Sequence, residues 1–197
     1  VSWSRLPKEL LACDKHDALA LEMARETMTL LQNRNDVLPL SKENRYAVVG
    51  PNAADSLVLW GNYNGTPRKT VTVLEGITSK LGVENVVYAK GCEIAESIVD
   101  TETGTDSDMS IFNDVDAIIY VGGLSPQLEG EEMQVDFKGF RGGDRTSIEL
   151  PKTQREYISA LAATGKPVVF VNLSGSAVAL APEAEHCDAI LQAWYGG

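Results

Sequence analysis

Five short runs of almost unbroken apolar residues punctuate this chain: RYAVVG at residues 45–50, NVVY at 85–88, DAIIYVGG at 116–123, PVVFVNL at 167–173 and DAILQAW at 188–194. Strands that do not alternate apolar with polar residues are buried on both faces, which is the signature of a parallel sheet covered by helices. Helical patterns lie between the runs. Leu21, Ala24, Met28 and Leu31 recur at near-helical spacing from Asp17 onward,. Leu74, Ile77 and Leu81 mark a second helix over residues 71–81. Tyr157, Ile158, Leu161 and Ala162 mark a third behind Pro151, and a short fourth is expected at 177–181,. Strand and helix alternate throughout. The prediction is a three-layer α/β/α sandwich with a mostly parallel, flavodoxin-like sheet over residues 17–197, preceded by an extended lead-in at 1–16.

Asp14 and Asp17 are candidate N-caps of the first helix, because a short acidic side chain accepts the free amides there,. The strand ending at Gly50 leads into GPNAAD. That turn lacks the GxGxxG spacing of a dinucleotide loop, which argues against a nucleotide or flavin binder. Cys13, Cys92 and Cys187 are too widely spaced for a metal site or a disulfide scaffold, and no cofactor is expected,.

The net charge of −11 disfavours a nucleic-acid partner, which needs clustered Lys and Arg,. No apolar run reaches the roughly 20 residues of a membrane span. The chain opens without a leader and closes in a loop-like WYGG, so it reads as a piece of something longer.

The chemistry concentrates in residues 116–151. A buried strand ending in Gly122-Gly123 aims its following loop at the carboxyl edge of the sheet, where open α/β folds bind ligands,. Glu129, Glu131 and Glu132 lie on that loop. Crowded like charges are one setting in which a carboxyl group keeps its proton near neutral pH, as a general acid must. Arg145 beside Asp144 is expected to form an ion pair anchoring the loop's far end. Tyr63, set among glycines and asparagines in LVLWGNYNGTP, is a candidate for stacking on a sugar ring, whereas Trp60 is expected to pack inside,. Glycosidic hydrolysis generally takes two carboxyl groups, and this chain offers only one half of such a pair.

Six ordered blocks carry a family resemblance: MARETMTLLQNRNDVLPL, VVGPNAADSLVLWGNYNGTP, VVYAKGC, VGGLSPQLEGEEM, GGDRTSIELPKTQREYISAL and KPVVFVNLSGSAVAL. Together they resemble the second domain of family 3 glycoside hydrolases. GNYNGTP and LEGEE are similar to its β-xylosidase-like branch, which also holds β-glucosidases and α-arabinofuranosidases. The resemblance implies a retaining exo-glycosidase acting on oligosaccharides or aryl glycosides. It implies an N-terminal (β/α)8-type barrel that brings the aspartate nucleophile, and an acid/base residue from the sandwich. That acid falls on Glu129, with Glu131 as runner-up, and Tyr63 matches an aromatic near the sugar. Residues MQVDFKGFRGG intervene before Asp144-Arg145, where xylosidases place the Asp-Arg pair almost at once after the glutamates. Without its barrel the chain is expected to be inactive. The parent is expected to be periplasmic or secreted, with its signal upstream. A non-catalytic carbohydrate-binding or scaffolding domain is the alternative.

Overall fold

The computed structural model describes residues 2–99, 108–130 and 132–197. The first helix, α1 (Asp14–Thr27), is entered from Cys13, whose side chain makes no cap. Asp14 and Asp17, expected as caps, sit inside the first turn, where both pair with Arg68. The helix pattern does not run on through Leu31. The chain straightens after Met28 into β1 (Thr29–Asn33), which pairs antiparallel with the last strand across a register shift. An open strand edge offers a row of unpaired amides and carbonyls, and here that outweighs the local helical period.

β2 (Tyr46–Val49) follows, then α2 (Val73–Leu81) and β3 (Val86–Ala89). A reciprocal capping box starts α2: Glu75 N–H donates to Thr72 Oγ1 at 3.1 Å, and Thr72 N–H donates to Glu75 Oε2 at 2.8 Å,. The central strand β4 (Ala117–Gly123) is buried along its whole length. A small antiparallel hairpin, β5 (Phe140–Arg141) with β6 (Asp144–Arg145), closes the long loop after it. α3 (Lys152–Ala162) leaves Pro151 and buries Tyr157, Ile158 and Leu161 as its spacing predicts.

β7 (Val168–Leu173) leads to α4 (Ala181–His186), later than the expected 177–181. Residues before it stay extended because Ala179 N–H bonds Ile148 O at 2.8 Å, and Pro182 then suits the helix start,. β8 (Ala189–Gln192) ends the series.

The six-stranded sheet has the order β1-β8-β7-β4-β2-β3, with only β1 antiparallel. Numbered among themselves, the five parallel strands run 2-1-3-4-5, the flavodoxin-like order,. One face, with Ile118, Tyr120 and Phe170, packs beneath α3 and α4. The other, with Tyr46, Val48 and Val121, packs against Val73, Leu74 and Ile77 of α2. A fully buried side chain of this size contributes about 1.5–3 kcal/mol, so the two clusters fix the layers.

Two glycines set how the chain leaves this core. Gly50 and Gly123 end β2 and β4 at φ of 114° and 117°. A Cβ on either would lie 2.2 Å from Val121 O or 2.1 Å from Leu173 O. Only glycine takes both the angle and the approach.

Candidate active site

The loop after β4 is fastened first by its backbone. Leu124 N–H bonds Leu173 O at 2.7 Å, and Leu128 and Glu129 N–H both reach Ser125 O. That turn delivers Glu129, half-buried, to the loops that follow β7 and β8. Its Oε2 accepts from Gly175 N–H at 2.9 Å and from the Tyr195 hydroxyl, and its Oε1 accepts from the Ser176 hydroxyl. Asn62 Nδ2 donates to the Glu129 carbonyl at 3.3 Å, bringing the glycine-rich loop of residues 57–67 against the same point. Burial first, and then the Glu129 carboxylate beside it, hold the Tyr195 hydroxyl far above its ordinary titration range. Tyr195 is therefore a fixed donor at any working pH.

Arg145 supports this cluster from behind. Its Nη1 donates to Ser176 Oγ at 2.8 Å and to Ala177 O at 2.6 Å, and its Nε to Ser147 O at 3.1 Å. Ser176 thus accepts from Arg145 and donates to Glu129. The expected ion pair with Asp144 is not among the ion pairs of the described residues, which is a correction to the sequence reading. Successive residues of an extended strand point to opposite faces, so the two neighbours on β6 cannot meet,. Asp144 is exposed and lies opposite Arg141 in the hairpin register.

Tyr63 is 92% exposed at a positive φ of 58°. It stands next to Asn62, whose side chain reaches the Glu129 carbonyl. Trp60 packs on the α2 face as expected, its indole N–H donating to Thr70 Oγ1 at 2.8 Å. Glu132 is exposed, and Glu131 lies outside the described residues. Sequence reasoning missed Tyr195, Ser176 and Asn62 as parts of one site. The available signal was positional. Ser176 and Tyr195 each follow the carboxyl end of an apolar strand, as Glu129 does.

It also missed Gln154 on α3, which is fully buried. Its Oε1 accepts from Tyr120 O–H (2.9 Å) and Gly123 N–H (2.8 Å), and its Nε2 donates to Gly123 O (2.7 Å) and Ile94 O (2.6 Å). One amide side chain pins the hinge of the acidic loop.

The model of the glycosyl hydrolase family 3 C-terminal domain matches residues 28–197. The chain belongs to that family. This family 3 domain is similar to a β-xylosidase of Formosa agariphila, 36% identical over 93% of this chain and 25% of the relative. It is similar to a periplasmic β-glucosidase of Salmonella typhimurium, 34% identical over 92% of this chain and again 25% of the relative. Its fold superposes on a family 3 β-glucosidase of Bifidobacterium adolescentis with a TM-score of 0.79 and 29% identity, covering all of this chain and 27% of that one. The family 3 domain therefore spans about a quarter of the length of these proteins.

Proposed function

We propose that this family 3 domain supplies the general acid/base of a retaining exo-β-glycosidase, releasing xylose or glucose from non-reducing ends. The nucleophile comes from a barrel domain of the same parent protein, so the domain alone carries no turnover. Relatives named β-xylosidase and β-glucosidase, each about four times its length, support that reading. So do uncovered apolar side chains on α1 and β1. Leu19, Leu21 and Met23 on α1 and Leu30 and Leu31 on β1 are all exposed, as suits a surface that meets a neighbouring domain,. The periplasmic relative supports an exported parent.

One observation carries the assignment within the loop: both oxygens of Glu129 are already bonded to donors of its own domain. A proton donor must instead present its carboxyl group to the departing oxygen. Glu129 has the geometry of a strut that fixes the loop's tip. We therefore move the acid/base role, which the sequence placed first on Glu129, to its neighbour Glu131. That residue protonates the leaving oxygen, then removes a proton from the water attacking the glycosyl-enzyme.

The test is a pair of variants in the full-length parent. Glu131→Gln should lose about 10²–10⁴-fold on natural oligosaccharides. It should lose less on activated aryl glycosides and be partly rescued by azide. Glu129→Gln should lose stability and some activity on both substrates alike, with no azide rescue. The reverse pattern returns the role to Glu129, and two variants with wild-type kinetics would end the whole reading.

A further inference from the structure

The strand order reverses between β2 and β4, the place where open α/β sheets hold ligands,. A crevice of about 290 Å³ lies there, built from the segments that follow β2, β3 and β4. Leu128 lines it, whereas the next residue, Glu129, turns its carboxylate to the loops after β7 and β8. The crevice is thus separate from the acid cluster, although one loop serves both.

Its remaining wall comes from the stretch that precedes Asp144-Arg145. Within MQVDFKGFRGG, Lys138 N–H bonds Glu96 O at 2.8 Å, and Ile98 N–H bonds Asp136 O at 2.9 Å. Ser97 and Phe137 form an antiparallel bridge between them. These contacts set Phe137 into the wall of the crevice beside Leu57 and Ile94.

The polar groups favour a neutral hydroxylated guest. Asn52 is 1% exposed, bonds Leu124 O through Nδ2, and leaves Oδ1 without a hydrogen-bond partner. Ser125 and Gln127 add groups that both donate and accept,. A phosphate finds little here. The amides of Gly50, Asn52 and Ala53 are all spent on backbone carbonyls, and Lys90 is tied to Glu93 at 2.5 Å. A cavity at the small end of the range for ligand sites, with one aromatic wall and a few polar groups, matches a single ring.

We propose that this switch-point crevice binds one neutral sugar ring, at a site distinct from the one that holds the acidic residues. The proposal does not depend on which glutamate is the proton donor.

The test is a titration of the 197-residue chain, labelled with ¹⁵N, using xylose, xylobiose and cellobiose, with inorganic phosphate as the anionic control. Saturable shifts are expected at Asn52, Ser125 and Gln127 with an affinity on the order of millimolar. Phe137→Ala and Gln127→Ala, both changes outside the central core, should weaken it about fivefold each while the rest of the spectrum stays native. Sugar shifts confined to residues 60–65 and 175–195, or shifts untouched by both variants, would overturn the proposal. So would a response to phosphate alone, or no saturable response at all, as expected if only water occupies the crevice.

Discussion

The acid cluster is held by single atoms whose loss is measurable. Tyr195→Phe removes one of the three donors on the Glu129 carboxylate, and a hydrogen bond to a charged group is worth about 1.5–3 kcal/mol,. A drop of that size in unfolding free energy by urea titration is expected, together with a looser loop. Glu183 offers a pH test. It is buried on α4 with Oε2 unpartnered, and burial raises its carboxyl above the usual range. In strong acid both folded and unfolded states hold the proton, so no penalty exists. As pH rises past the ordinary carboxyl value the unfolded chain ionises first, and stability falls until the folded group follows. Glu183→Gln should therefore melt higher than the parent chain near neutrality, with the gain vanishing well below the ordinary value of about 4.3. The buried thiols are inert by the same physics: burial pushes Cys92 up to about 11 and Cys187 to about 12. At this scale Glu129 was legible as an acid on a glycine-led loop. Its donors were not, because Ser176 and Tyr195 are brought to it only by the order of strands β4, β7 and β8.

Among the elements, strands and helices differ in how well they announce themselves. β2, β4 and β7 could be read from their unbroken apolar runs, since two-sided burial leaves no other composition,. β1 could not. Its Leu31 continues the period read for α1, and the edge of β8 draws the backbone straight. The start of α4 was hidden likewise by the bridge between Glu149 and Ala179. α3 matters more than its apolar face suggests, because Gln154 reaches from it to the last residue of β4. Gln154→Leu keeps the bulk but leaves the Tyr120 hydroxyl only the weaker Cys92 thiol and strands the Gly123 amide, a buried unpaired group costing about 1–3 kcal/mol,. The expected loss is about 2–4 kcal/mol in the urea midpoint analysis, with native-state hydrogen exchange accelerating first at Gly123.

For the whole molecule, the parallel order places the ends of β2, β4, β7 and β8 along one edge, and both the acid cluster and the switch-point crevice lie there. Fold class was therefore the most legible property, since alternation alone dictates layers. The site was half legible: its principal loop is continuous in sequence, whereas its supports are joined through the sheet. The antiparallel closure of that sheet has a further outcome. β1 pairs with β8, so among the described strands of this domain the first must wait for the last. Contacts between remote parts of a chain form slowly. During synthesis on the ribosome, Leu30 and Leu31 stay without their strand partner until the stretch of this domain through β8 has emerged, and nascent chains are open to sticking together through those residues in that interval,.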